Sequence, residues 1–432
     1  MRRLATTLAV LVALVLSGCG DSPADGTPAD ADPETSADVL GVGDAEDAAV
    51  IPSAPFDWCD PDSPPDLACH AAKRAPESGA IALASAIAAK QIGTHAPETL
   101  AWNWEEAVLM RGLYELYRVT GDETLPAYIA AWLDHHIAKG YVLHSSDTCA
   151  PSALAALLVT EPGGAYAGDE AYQALVDEAL YYLYEVALRT EEGGINHLGT
   201  LGALGITLWV DSLFMFGNLL IGWGDGANDS DGDPKALDEF QAQFDIFTAL
   251  LQEASGFYKH AYQWKGAQDD DVYWGRGNGW VTAAAYDYLR VRRMRGEADG
   301  ALSVVTAAKA QVEAALATQD PESGLWWTIL NRPGETYLET SAAALFAYGM
   351  ARGYRYGYLG DEVLPAIQAA MEGVTERITL DAQGVPTVTG VSGPTSAGTF
   401  AVYAAIDTVD DVPFGLGAVL LSLIETSGLP SL

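Results

Sequence analysis

The chain has 432 residues, 49% of them hydrophobic, and a formal net charge of −37 from 59 acids against 22 bases. That balance excludes nucleic acid or an anionic lipid surface as a partner, since both demand a basic face, and it obliges any acidic substrate to find a local cation. The apolar content suffices for a large core, in one big domain or two small ones.

Taken from the start, Arg2 and Arg3 precede a short apolar stretch from Leu4 to Leu16 and then small residues. This is the layout of a secretion signal and is too short to span a bilayer as a helix. Leu16, Ser17, Gly18 and Cys19 resemble the lipobox of bacterial lipoproteins. The resemblance implies a signal peptide over 1–18, lipidation of Cys19, and a protein anchored in the bacterial cell envelope, at the periplasmic or outer-membrane surface. From Cys19 to Asp57 there are ten acids and no base. Residues 19–55 therefore read as an acidic flexible linker, and 56–432 as the folded domain. Cys59 and Cys69 are spaced to close a small loop in an oxidising compartment, and the spacing leaves open whether they do. Cys149 reads as a buried small apolar residue.

Past residue 75 the periodicity is helical almost throughout. "WEEAVLMRGLYELYRVTGD" places Leu109, Leu113 and Leu116 on one face and stops at Gly121, as an amphipathic helix does. Similar segments fall near 79–91, 104–119, 124–138, 150–159, 169–189, 206–222, 235–254, 278–295, 301–318, 338–354, 361–377 and 412–426. The joins "TGDE", "EPGGAYAGDE", "PESGLWW" and "YLGDE" are short Gly, Pro and Asp turns that favour antiparallel neighbours. Only 379–405, rich in Thr, Val and Gly, lacks a helical period and suits a short hairpin. Twelve helices in antiparallel pairs predict an all-α fold, an (α/α)6 barrel. A right-handed helical solenoid fits the count as well, but no repeat of fixed period is visible.

Inner helices of such a barrel are apolar all round, so polar exceptions near their ends are candidates for function. "LWVDSLFMFG" sets Asp211 between Leu208 and Met215 in an apolar run, where a lone carboxylate is costly unless paired or protonated. Asp147, in "HSSDTC", leads into another helix, a commonplace position for an acid. "GGINH" delivers His197, "GFYKHAYQW" His260, and "YWGRGNGW" Trp274, Arg276 and Trp280. A cation among glycines suits carboxylate recognition. Half-exposed Trp faces, including Trp102 and Trp104 in "AWNWEE", suit sugar rings. "ANDSDGD" places Ala227 where a calcium loop needs its first acid, and His135 and His136 are adjacent and cannot share a helix face. No metal or cofactor is expected.

These pieces, with "LWVDSLFM", "WGRGNGW", "QDPESGLW", "YLETSAAALFAYGMARG" and "DDVPFGLGAVLLSLIE", resemble the unsaturated rhamnogalacturonyl hydrolases of glycoside hydrolase family 105 and the related family 88. The resemblance implies the same (α/α)6 barrel, Asp211 as catalytic acid/base, and Asp147 as a second active-site carboxylate. It places His260 and Arg276, with Trp274 or Trp280, at substrate-contacting positions. Thr148, Cys149 and Ala150 follow Asp147 where relatives have a different continuation. The implied reaction removes a 4,5-unsaturated uronic acid from the non-reducing end of lyase-generated oligosaccharides, of rhamnogalacturonan or pectin type, by hydration of the C4=C5 bond. The acid must begin protonated, and an apolar surround with Asp147 nearby is expected to raise the pKa of Asp211. Arg276 or His260 is expected to meet the substrate carboxylate. Two rivals stand beside this reading: the same chemistry on unsaturated glucuronate, and a non-catalytic carbohydrate-binding lipoprotein on the same barrel. The sequence is silent on oligomeric state.

Overall fold

A computed structural model describes residues 78–200, 205–226 and 234–429, which fall in one compact unit. The signal peptide, Cys19, the acidic linker, Cys59, Cys69 and the acidic loop at 227–233 lie outside the described residues.

Twelve main helices run through the described residues: α1 (Gly79–Thr94), α2 (Trp104–Thr120), α3 (Thr124–Lys139), α4 (Ser152–Thr160), α5 (Glu170–Tyr181), α6 (Ser212–Gly226), α7 (Pro234–Leu251), α8 (Gly275–Met294), α9 (Leu302–Thr318), α10 (Thr340–Arg355), α11 (Leu364–Glu376) and α12 (Pro413–Thr426). Their ends follow local chemistry. Ser78 Oγ accepts the Ile81 N–H ahead of α1, and Asp169 accepts those of Ala171 and Tyr172 ahead of α5. Gly121, at φ +69°, closes α2 in the left-handed conformation that a side chain disfavours.

The even-numbered helices form an inner ring in which α2 packs on α4, α4 on α6, α6 on α8, α8 on α10, α10 on α12, and α12 back on α2. Each odd-numbered helix lies against one of them: α1 on α12, α3 on α2, α5 on α4, α7 on α6, α9 on α8 and α11 on α10. The ring closes, so the chain is the expected (α/α)6 barrel and not an open solenoid. Burial follows the layers. All 16 residues of α10 are buried, whereas α7 buries one face through Leu237, Phe240, Phe244, Phe247 and Leu251. The closing seam between α12 and α2 relies on glycine: a Cβ on Gly112 would press on Leu420, and one on Gly417 would overlap the Val108 carbonyl.

Contacts between inner neighbours occur at matching depths, as for Val108 with Gly417, Phe214 with Trp280, and Gly279 with Leu345. The inner helices therefore run parallel and point their N-termini, the positive ends of their dipoles, to one end of the barrel. Deeper along the axis the ring is filled by buried charges. Arg352 pairs with Asp287 and, at 2.7 Å, with Glu425, while Arg111 bonds Glu115 at 2.7 Å and Tyr348 bonds Asp287 at 2.6 Å.

Among the described residues, four two-stranded antiparallel ribbons decorate the loops: β1 (Leu208–Trp209) with β2 (Ala261–Tyr262), β3 (Trp326–Trp327) with β4 (Leu338–Glu339), β5 (Ile378–Leu380) with β6 (Pro386–Val388), and β7 (Val391–Ser392) with β8 (Thr408–Val409). The β5–β6 hairpin falls in the stretch read as non-helical at 379–405, which also holds β7 and, against that reading, a short helix at Phe400–Ala404. One helix start differs from expectation. Residues 206–211 are not the first turns of α6, because β1 pairs with β2 and the Val210 N–H bonds the His260 carbonyl. Asp211 thus stands immediately before α6, and Leu208 does not share a helical face with it. No described helix is long and apolar enough to cross a membrane.

Candidate active site

Four polar side chains meet at the N-terminal end of the inner ring. Asp147 sits in a single helical turn, Ser146–Cys149, that precedes α4 and is closed by a reciprocal Ser145–Thr148 cap. The Ser146 N–H bonds the His197 carbonyl at 2.9 Å, and Trp102 Nε1 bonds the Thr148 carbonyl at 3.0 Å, so the turn is braced from both sides. The "GGINH" segment turns at Gly193, φ +95°, and Gly194 leaves room for Leu208. His197 then pairs its N–H with the Thr207 carbonyl at 2.9 Å. Its Nδ1 lies 3.0 Å from Ser212 Oγ and its Nε2 3.8 Å from Asp147 Oδ1.

Asp211 is delivered by the end of β1. The Phe214 and Met215 N–H groups both donate to its carbonyl at 2.9 Å, which starts α6. His260, presented by the strand partner, places Nε2 3.2 Å from Asp211 Oδ2. Both atoms are buried and neither has an aligned hydrogen bond. The Trp209 ring lies between the two imidazoles, stacked on His197 with centroids 4.5 Å apart and edge-on to His260 at 5.1 Å. Beneath His260 lies Trp274, stacked at 4.3 Å.

The two carboxyls are held differently. Burial, the largest influence on Asp211, works to raise its pKa, but the close polar contact and charge of His260 and the charge of His197 outweigh it and hold the carboxyl below the ordinary aspartate value. Burial carries Asp147 above that value, with the Asp211 charge adding to it and His197 opposing. The expectation of a raised Asp211 is thus reversed in the free protein, because two imidazoles flank the carboxylate where the sequence shows only apolar neighbours. His260 is itself lowered by burial. Asp147 is the more open of the pair, its side chain 32% exposed against 13% for Asp211.

The remaining nominees divide. Arg276 is fully buried, and its guanidinium donates to the carbonyls of Ser392 at 2.7 Å and Gly393 at 2.8 Å and to Thr395 Oγ1 at 3.0 Å. It clasps a loop and offers no open fork to a substrate carboxylate, which corrects the role expected for it. Trp280 is also a correction: it is a core residue of α8, packed on Phe214 at 4.6 Å and fully buried. Trp274 is buried as the floor under His260. Trp102 stacks on Trp132 and Tyr141, and Trp104 packs on Phe414 at the mouth of the ring, both partly exposed.

Sequence reasoning passed over Trp209, Tyr403 and Glu105. Trp209 was legible in the W-x-D pattern. Glu105, in the first turn of α2, is pushed up by burial, with Arg276 opposing and Asp147 adding to it; nothing local marks it. Chemically, the arrangement can hold and hand over a proton between a carboxyl and an imidazole, beside a second, more open carboxyl and the positive ends of the inner helices.

Against known proteins, residues 84–429 match the model of Glycosyl Hydrolase Family 88. The unsaturated rhamnogalacturonyl hydrolase YesR of Bacillus subtilis is 29% identical over 284 residues, 63% of this chain and 77% of YesR. A possible GH105 member from Klebsiella pneumoniae superposes with a TM-score of 0.66 at 28% identity, covering 75% of this chain and 82% of that one. The unsaturated glucuronyl hydrolase of Bacillus sp. GL1 shares the fold, with a TM-score of 0.58 at 20% identity over 80% of this chain and 94% of that one.

Proposed function

Because the chain belongs to Glycosyl Hydrolase Family 88, we propose that it removes 4,5-unsaturated uronic acid from the non-reducing end of lyase-generated oligosaccharides, of rhamnogalacturonan type, by hydrating the C4=C5 bond. The supporting observation is the meeting of Asp211 and Asp147, each with its own imidazole, at the positive end of the inner ring.

In this reading Asp211 gives its proton to C4 of the enol ether, and water adds its oxygen to C5 while returning a proton to Asp211. The resulting hemiketal opens and releases the rest of the sugar. Asp211 begins as a carboxylate, and the arriving uronate supplies the change: its own charge and the expulsion of water both raise the aspartate pKa, so a proton is taken up as substrate binds. Arg276 is engaged elsewhere, so the substrate charge is offset by the helix N-termini and the imidazoles.

The test follows the ultraviolet absorbance of the conjugated double bond with lyase-digested rhamnogalacturonan. Wild type consumes it, and Asp211→Asn, folded, loses at least about a hundredfold in kcat; full activity in that variant removes Asp211 from the role. Unsaturated glucuronyl oligosaccharides are the second arm. The double bond erases the C4 configuration that separates galacturonate from glucuronate, so selectivity rests on the sugar beyond the cleaved bond.

The envelope location is part of the proposal. The lipobox-like Leu16–Cys19 run supports an anchor at Cys19, with 19–55 as tether and 56–432 as the catalytic domain. Expressed in a bacterial host, Cys19→Ala is expected to move the protein from the membrane to the soluble fraction, and an unchanged membrane fraction speaks against lipidation.

A further inference from the structure

Between β7 and β8 the chain carries Tyr403 in a short helix, Phe400–Ala404. This strap is anchored at both ends. Arg276 holds Ser392, Gly393 and Thr395 as described, and Asp269 accepts the Phe400 N–H at 2.7 Å. Tyr403 is buried, packed with Val272, Trp274 and Ile329 in a small cluster of their own. Its Oη lies 2.8 Å from His260 Nδ1 and accepts the Gly398 N–H at 3.2 Å.

The protons in this chain can be assigned by accounting. An ionised carboxylate only accepts, so the imidazole nitrogen facing Asp211 Oδ2, Nε2, must carry the hydrogen. Nδ1 is then a bare acceptor. Tyr403 Oη, already accepting from Gly398, has its own hydrogen free to donate there. The opposite tautomer would turn a lone pair of Nε2 toward the carboxylate and leave the phenol hydrogen without a partner in a buried site. Burial also keeps the Tyr403 phenol protonated.

We infer that Tyr403 is a positioning residue of the active site: by donating to His260 Nδ1 it fixes the imidazole hydrogen on Nε2, the nitrogen 3.2 Å from Asp211 Oδ2, and the Arg276-clasped strap is what delivers it. The inference rests on Asp211 being the acid/base of the proposed reaction. It also gives the buried Arg276 a function, since its fork sets the strap that sets the imidazole. The charged and titratable groups facing His260 are Asp211, His197, Arg276 and Tyr403, and those facing Tyr403 include Asp211 and Asp269.

The test uses the full chain and Tyr403→Phe, with imidazole ¹⁵N NMR of His260, assigned through His260→Gln, beside kinetics on unsaturated rhamnogalacturonan oligosaccharide. In wild type His260 is expected as the neutral Nε2–H tautomer, and Tyr403→Phe moves it toward Nδ1–H. The variant loses at least about tenfold in kcat with a smaller change in KM. The basic limb of its kcat/KM profile, along which the proton that Asp211 must give is lost, shifts to higher pH, because Asp211 loses the donor that favours its carboxylate. Asp269→Ala, which removes the acceptor of the Phe400 N–H and loosens the strap while keeping Tyr403, moves both readouts less and in the same direction, and it carries the test if Tyr403→Phe does not fold. An unchanged tautomer, or an activity loss that tracks thermal stability with no pH shift, overturns the inference. If the tautomer responds while wild type leaves the double bond intact, the positioning role stands and the functional reading falls.

Discussion

Asp211 and Asp147 are the same residue type at the same end of the inner ring, yet their pKa values move in opposite directions: burial pushes both up, but two imidazoles outweigh it at Asp211, whereas at Asp147 burial, with the Asp211 charge adding, outweighs the single imidazole of His197. A third acid nearby allows a direct check. Glu106, in the first turn of α2, is pushed up to about 7 by burial, with backbone bonds opposing and the Glu105 charge adding. Its Oε2 has no hydrogen-bond partner. The folded value lies above the unfolded one, 4.5, so the unfolded chain sheds its proton first and stability is lost as pH rises between the two values. Glu106→Gln is therefore expected to match wild type near pH 4 and to exceed it by about 1–3 kcal/mol near pH 8, read from urea unfolding at both pH values. An equal difference at both pH values would show that ionisation is not what destabilises. At this scale the sequence was half legible. Asp211, His197 and His260 stood out as polar residues in apolar or glycine-marked contexts. Arg276 and Trp280 were misread, because residue type shows what a side chain can bind and not what already occupies its donors.

The element scale was read more faithfully, since amphipathic period and turn residues are local properties. Helix α2 with its Gly121 stop and the hairpin β5–β6 fall where their sequences place them. The miss was the start of α6, where strand pairing, Leu208 with Tyr262 and Trp209 with Ala261, overrode a helical-looking run. A partner that far along the chain leaves no local mark on the residues it recruits. The seam between α2 and α12 carries the prediction that belongs to this scale. Gly417→Ala would place a methyl against the Val108 carbonyl, and the closing pair of helices would have to separate. A loss of about 1–3 kcal/mol is expected, read as a lowered midpoint in urea. An unchanged midpoint would mean that the seam gives way without cost.

For the whole molecule, the charge of −37 and an anionic substrate repel each other at a distance, while the inner helix N-termini attract at close range. The screening length falls from about 30 Å at 0.01 M salt to about 8 Å at 0.15 M. Salt therefore weakens the long-range repulsion more than the attraction inside the site, and kcat/KM for an unsaturated uronyl oligosaccharide is expected to rise between those two conditions. A fall would show that attraction at the mouth controls the encounter.

By itself the sequence determined the helices, their pairing into hairpins and the acidic character of the surface, because period, turn chemistry and charge are written residue by residue. It also marked Asp211, His197 and His260 as exceptions to their surroundings, and Asp147 through the family resemblance. Tertiary structure alone decided which of these face one another, that Arg276 clasps a strap and Trp280 fills the core, and that Tyr403, 143 residues from His260, completes the chain to Asp211. Those outcomes depend on distances between segments far apart in sequence, and such distances exist only once the ring has closed.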